Sequence, residues 1–350
     1  MKKILLVGLV LGYAVCMGQQ TGSFRLTGTV NIDSGTIRFY QVGQASAYPP
    51  DFDFALVPVV HGRFTITGNI DHPYEVMLLL DTGGMHVYVS RWFLIDTGAQ
   101  SIVCDVQASQ EIPGIHNIPM REFLDLYRSA AYQALDTMTN YRLQDSLERR
   151  YLYRYTEEHP DSWVALWVIS HYLLYGYDEI VDSAFQHLSA NIQHSSTGIS
   201  IQKDLAQLSL TGKGKPFPKI RVYSVAGKAD TLNYLSHHPK FILIDFWFSH
   251  CGPCIQQFPD YVQMVNTYQD KGFSMIGISS DASASDIALW KNLIQSNALN
   301  WVQYRTDKET MKTLHINLAP WNFLLDTGGR ILSRDMSTKE LADFLQKNLN

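Results

Sequence analysis

Two periods of apolar residues follow one another along the chain, and each predicts a different structure. From about residue 22 to 112 apolar and polar positions alternate in short runs: Phe24 to Val30, Thr36 to Tyr40, Arg63 to Thr67, Glu75 to Leu80, His86 to Ser90, Trp92 to Ile95 and Ser101 to Val106. Gly, Asp and Pro separate them at short intervals, which predicts an antiparallel all-β domain, sandwich-like or barrel. From about residue 118 to 210 the period lengthens. Phe123, Leu124, Tyr127, Ala131, Leu135 and Met138 recur at helical spacing, then Trp163, Leu166, Trp167 and Ser170, then Ile180, Ala184, Phe185 and Leu188. These stripes predict a helical connector broken at Pro160. Trp163 and Trp167 read as a packed helix face, and Arg149 to Tyr155 as a solvated, partly packed helix. Further on, the run Phe241 to Phe246 is apolar except for Asp245 and reads as a buried strand. Gln256, Gln257 and Tyr261 after it fit a helix.

Composition adds little to this picture except location. A length of 350 residues with 46% hydrophobic content suits two or three folded units, and a net charge of −5 gives no electrostatic case for nucleic acid. Lys2 and Lys3 precede an apolar stretch from Ile4 to Val15, followed by small residues such as Gly18, so residues 1 to 18 read as a secretory signal. The protein is expected to be exported to the periplasm or cell envelope. The stretch is short of the about 20 residues that a membrane-spanning helix needs. Cys16 invites a lipid anchor, and with it membrane association through the N-terminus, but Tyr13-Ala14-Val15 lacks the small residue expected immediately before a lipidated cysteine. Removal of the leader leaves Cys104, Cys251 and Cys254, too few to staple a scaffold. Cys104 lies in an alternating run and reads as a packed core residue.

The chemistry lies in Phe246-Trp247-Phe248-Ser249-His250-Cys251-Gly252-Pro253-Cys254. Two cysteines two residues apart, between a strand and a helix, can form and break one disulfide. A helix N-terminus presents unpaired N–H groups and the positive end of its dipole, which stabilise a thiolate at the first cysteine. Thiol pKa values at such sites fall from about 8.5 to roughly 3.5–7.5. Cys251 is therefore the expected nucleophile. Cys254, one turn inward and less exposed, is the expected resolving thiol. The redox centre is the cysteine pair itself and calls for no other cofactor or metal.

Asp245-Phe246-Trp247 followed by Cys251-Gly252-Pro253-Cys254 resembles the active-site strand and helix of thioredoxins, and the wider segment resembles the secreted branch typified by TlpA and ResA. Gly214 to Pro218 resembles that branch's leading segment, Phe273 to Ser279 its next central strand, and Phe323 to Ile331 its closing hairpin. The resemblance spans roughly residues 212 to 350. It implies an α/β domain with a central mixed sheet and flanking helices, acting as an exported thiol-disulfide oxidoreductase. Disulfide-containing protein substrates and an upstream electron-donor protein are its implied partners. Ala319-Pro320 matches the family's cis-proline facing the cysteines, so Trp247, His250, Gly252, Pro253, Ala319 and Pro320 are the implied substrate groove. Asp245 matches the buried aspartate of thioredoxin, a candidate acid or base for Cys254. The front half resembles the β domain that accompanies such proteins in Bacteroidota.

Some residues depart from the family or point elsewhere. His250 stands where tryptophan is usual, and a protonated imidazole beside Cys251 would favour the thiolate and make the protein more oxidising. Gln257 stands where the TlpA and ResA branch often carries a glutamate, and it cannot move a proton. The alternatives are an oxidase or isomerase on the same fold, a thiol peroxidase, or a partner-binding envelope protein with a redox module. Peroxiredoxins place Pro and Thr seven and three residues before their cysteine, where this chain has Ile244 and Phe248. Asp96-Thr97-Gly98-Ala99 resembles the loop of retroviral-type aspartic proteases. Asp81-Thr82-Gly83 and Asp326-Thr327-Gly328 repeat the triplet between apolar strands, so all three read as turns.

Overall fold

Alternation puts every second side chain of a strand on one face, and β1 (Gly22–Val30) follows it, burying Phe24, Leu26 and Val30 and exposing Arg25, Thr27 and Thr29. The computed structural model describes residues 21–41, 45–49, 52, 56–83, 86–90, 92–104, 141–234, 239–316 and 319–349. The expected signal with Cys16 and the stripe from Phe123 to Met138 lie outside the described residues. Two compact units divide the chain: Met1–Val42 with Pro50–Met120, and Gly43–Pro49 with Arg121–Asn350.

The first unit is all β. To β1 it adds β2 (Ser34–Gln41), β3 (Val57–Val60), β4 (Arg63–Ile70), β5 (Tyr74–Asp81), β6 (His86–Tyr88), β7 (Phe93–Ile95) and β8 (Gly98–Cys104). They form one sheet in the order β6-β5-β2-β3-β4-β1-β8, with β7 also pairing on β5. One pairing departs from the antiparallel expectation, and one strand was not expected at all. The β1/β8 pair is parallel, Phe24 opposite Gly98 through Val30 opposite Cys104. The strand β3 lies where Pro58 interrupts an apolar run, and its residues pair with β2 from Ile37↔Val57 to Ser34↔Val60. Cys104 is buried, and that burial pushes its thiol up to about 12. It is an inert core thiol at neutral pH. The three Asp-Thr-Gly triplets are turns. Asp81 Oδ1 accepts from the Gly83 N–H (2.8 Å), Asp96 Oδ1 from the Thr97 N–H (2.6 Å), and Asp326 Oδ1 from the N–H groups of Gly328 (2.8 Å) and Arg330 (2.9 Å).

The second unit begins with helices α1 (Tyr141–Glu158), α2 (Trp163–Tyr172), α3 (Glu179–His187), α4 (Ala190–Gln193) and α5 (Ser196–Ser209). Short polar residues start them, as unpaired first-turn N–H groups require. Ser162 Oγ accepts from the Ala165 N–H (3.2 Å), the Asp178 carboxylate from Ile180 and Val181, and Ser195 Oγ from the Gly198 N–H (3.0 Å). Trp167 is fully buried, as a packed helix face predicts. Its ring meets Tyr48 at 4.8 Å, and Thr197 Oγ1 donates to the Ala47 carbonyl (2.6 Å), so the 45–49 segment is part of this helical layer.

The chain then builds a seven-stranded mixed sheet from β9 (Arg221–Ser224), β10 (Ala229–Thr231), β11 (Phe241–Trp247), β12 (Phe273–Ser279), β13 (Val302–Arg305), β14 (Trp321–Asp326) and β15 (Ile331–Arg334). Helices α6 (Gly252–Tyr268), α7 (Ala284–Ser296), α8 (Lys308–Thr313) and α9 (Thr338–Leu349) connect and flank the strands. The order is β10-β9-β13-β12-β11-β14-β15, with β11 parallel to β12 and antiparallel to β14. Covered on both faces, β11 reads as a continuous apolar run. Ile242, Ile244 and Phe246 enter one cluster with Phe217 and Phe323, while Leu243 and Trp247 enter the other with Phe258 and Leu345. Among the described residues no helix is long and apolar enough to cross a membrane.

Candidate functional site

Strand β11 ends at Trp247, and four residues later Cys251 caps α6. Its φ of −81° and ψ of 94° are extended, and its Sγ accepts from the Cys254 N–H at 3.2 Å. Gly252 and Pro253 form the first helical positions, where the missing proline N–H leaves no bond unmade. Cys251 and Cys254 are joined in a disulfide, with Cα atoms 5.3 Å apart. Both sulfur residues are buried, Cys251 at 3% and Cys254 at 1% exposure, whereas Gly252 and Pro253 stand out to solvent. The order of exposure matches the expected roles, with a far smaller margin than the sequence suggests.

A buried carboxylate holds the loop that delivers Cys251. Asp281, directly after β12, accepts from the Ser249 N–H (2.9 Å) and Oγ (2.8 Å), and from Ser279 Oγ (2.6 Å). The Arg305 guanidinium donates to its carbonyl (3.1 Å), and the Cys251 N–H closes the turn on the Phe248 carbonyl (3.0 Å). Asp281 is a positioning residue absent from the sequence reading. Its only signal there is a polar Ser279-Ser280-Asp281 stretch at the end of an apolar strand. Asp281→Ala leaves three donors without an acceptor and is expected to cost about 3 kcal/mol. The urea unfolding midpoint checks it, and an unchanged midpoint would refute the clamp.

Trp247 needs correcting as a groove residue. At 1% exposure it lies inside the core, edge-on to Phe258 at 5.0 Å, and its Nε1–H reaches Gln303 Oε1 at 3.4 Å. Alternation along β11 puts it on the face covered by α6, so it supports the cysteine helix from below. His250 stands at the surface. Its ring is largely exposed and its Nε2 lies 3.1 Å from Asp286 Oδ1 at the start of α7. The Ser283 hydroxyl first, and His250 second, hold the Asp286 carboxyl below the usual range. The Ala319–Pro320 peptide is cis, both residues are half-buried, and Ala319 packs against the cluster that contains Cys251 and Cys254.

Asp245 shares the face of Leu243 and Trp247 and is 2% exposed, opposite Asn322 of β14. Burial pushes its carboxyl up to about 7, and the Tyr261 hydroxyl of α6 offsets only part of this. Its Oδ1 has no hydrogen-bond partner among the described residues. Burial and the neighbouring Asp245 in turn push the Tyr261 phenol well above its ordinary value. Gln257 Oε1 accepts from that phenol at 3.3 Å. One carboxyl able to titrate near neutral pH thus lies in the same layer as the disulfide.

Comparison with known proteins agrees with this geometry. A family model described as thioredoxin-like matches residues 239–331. The thiol-disulfide oxidoreductase ResA of Bacillus thuringiensis is 28% identical over 138 residues, which is 38% of this chain and 77% of that protein. ResA of Bacillus subtilis is 23% identical over 121 residues, 34% of this chain and 65% of that protein. A solved thioredoxin domain of a thiol-disulfide oxidoreductase from Bacteroides vulgatus is 27% identical with a TM-score of 0.36, covering 40% of this chain and 99% of that one. The strand, the capping cysteine, the cis-proline, the family match and the ResA relatives lead to one conclusion: the C-terminal region is a thioredoxin-like, ResA/TlpA-like thiol-disulfide oxidoreductase domain whose redox-active pair is Cys251 and Cys254.

Proposed function

We propose that this protein reduces disulfides in partner proteins outside the cytoplasm. The observation that carries the dithiol chemistry, though not its direction, is the placement of Cys251 Sγ at the helix N-cap, where it accepts the Cys254 N–H. That donor and the helix dipole favour a thiolate at Cys251. In the dithiol form, Cys251 thiolate attacks one sulfur of the substrate disulfide, forming a mixed disulfide and releasing one substrate thiolate. Cys254 gives its proton to Asp245 and attacks Cys251 Sγ, which releases the second substrate thiolate and leaves the Cys251–Cys254 disulfide. Two electrons have passed to the substrate. An upstream dithiol protein returns them.

Gly252, Pro253, His250, Ala319 and Pro320 form the rim at which the substrate strand docks, and the all-β unit serves partner recognition. The reducing direction is favoured over an oxidase or isomerase by the His250–Asp286 pair, because a carboxylate beside the ring leaves less net positive charge near Cys251 than an imidazolium alone. The reduction potential of the Cys251/Cys254 pair tests the direction, measured by equilibration in defined thiol buffers. References run from about −270 mV for thioredoxin to about −120 mV for the oxidant DsbA. A value near the low end is expected. A value near the high end would make the protein an oxidant or isomerase.

A further inference from the structure

The second unit contains a cavity of about 730 Å³, walled on one side by the helical layer around Tyr177 and Asp178 and on the other by the end of β15. Three cations line it: Arg149, Lys213 and Arg334. Arg149 is already engaged, its Nη1 lying 2.6 Å from Asp178 Oδ2. Asp178 is doubly used, since its other oxygen caps α3. Arg334 is different. Among the described residues no acceptor bonds its guanidinium and no carboxylate pairs with it. Desolvation by the surrounding protein lowers its pKa to about 10, against the partial support of the Asp178 charge.

The site is shaped for that guanidinium. Gly176, at φ +83°, lies against it: a Cβ there would come within 2.6 Å of Arg334 Nη1 and 3.3 Å of Trp321 Cζ2. Leaving out that one side chain makes room for the guanidinium between Gly176 and Trp321, and its N–H groups can only donate, so a ligand there must supply acceptors.

The position relative to the cysteines follows from strand direction. Arg334 pairs with Phe323, and Phe323 with Ile244 of β11. Arg334 is the last residue of β15, level with Ile244 and three residues short of the end where β11 delivers Cys251, and its side chain lies on the face of Ile244 and Phe323, opposite the one that α6 covers. Two strand spacings across and three residues along place it roughly 14 Å from the Trp247 backbone. A protein docked on the cysteines covers a patch of about 800 Å², wide enough to reach it.

We propose that this cavity receives a carboxylate side chain of the disulfide-bearing polypeptide, held by Arg334. The inference rests on the reading that the Cys251/Cys254 pair acts on protein disulfides, and it names the substrate class as acidic near the bridge. A carboxylate fits better than a phosphate because Asp178, Glu179 and Asp335 also line the cavity, and their repulsion of a dianion exceeds that of a monoanion. The volume holds a whole Glu or Asp side chain and its neighbours.

The test compares disulfide-bridged peptides carrying one Glu at successive positions beyond the bridged cysteine, each against its Gln counterpart, with the full-length protein in its dithiol form. At one position kcat/KM for the Glu peptide is expected to exceed that for the Gln peptide by about tenfold or more, as for a charge-assisted hydrogen bond. That ratio is expected to fall towards one in Arg334→Gln, to be partly retained in Arg334→Lys, and to shrink with added salt in the unmodified protein. No preference at any position, or one that persists in Arg334→Gln, overturns the proposal. If Arg334→Gln does not fold, a Glu preference that Arg334→Lys leaves whole and salt does not reduce overturns it equally. If no peptide is reduced, the redox reading falls, and direct binding decides the cavity: Glu over Gln binding that depends on Arg334 keeps it, and equal binding ends it.

Discussion

Cys251→Ser is expected to abolish turnover of a protein disulfide, by about three orders of magnitude or more, because serine at the helix N-cap is not ionised at neutral pH and cannot attack sulfur. Cys254→Ser has a different expected result. The first attack still proceeds, but nothing within the protein can then break the bond it makes, so partner proteins accumulate in mixed disulfides with Cys251. Non-reducing electrophoresis and mass spectrometry of the trapped adducts check both variants. If Cys254→Ser turns over a protein disulfide normally, the dithiol mechanism is wrong.

The second large effect belongs to Asp245. Its carboxyl is held at about 7 against an ordinary value of 3.8. Between those values the folded protein keeps a proton that the unfolded chain releases. Stability therefore falls as pH rises from about 4 to about 7, and the full penalty is present above that window. At 1.36 kcal/mol per unit, the penalty at pH 8 is about 4 kcal/mol as an upper figure. Asp245→Asn removes it. The variant is expected to be more stable than the parent at pH 8, by up to that amount, and equal to it near pH 4. Denaturant unfolding at the two pH values measures the difference, and an equal gain at both would show that burial of the charge is not the cause. The same substitution is expected to slow resolution of mixed disulfides, since asparagine cannot take the Cys254 proton.

Much of the second sheet was legible because β11 and β12 are continuous apolar runs bounded by turn residues. The reading of Phe273 to Ser279 as a strand matches the observed limits. The cysteine pair was legible because its spacing is itself the chemistry. Other features depend on contacts that a local pattern does not carry. The strand β3 was hidden by Pro58, which lacks an N–H but needs none where its amide is not called on by a neighbour. The parallel β1/β8 pair joins the two ends of the first unit, and alternation is the same whichever way a partner runs. Asp281 and Ser249 are separated by 32 positions and meet only because β11 and β12 are parallel neighbours that end together. Trp247 looked like a groove residue by its nearness to Cys251. The period of two along β11 turns it inward.

The segment 45–49 has a consequence for anyone who would take the protein apart. It belongs with helices far along the chain, bound through Ala47 to Thr197, 150 positions on, and through Tyr48 to Trp167. A fragment starting at residue 121 would contain every described α-helix and still be missing a piece of its own wall, with the Trp167 ring laid open to water and to other copies. Closing so long a loop costs entropy before the contact repays it. The helical layer is therefore complete only when a stretch made near the beginning of synthesis is gathered back in.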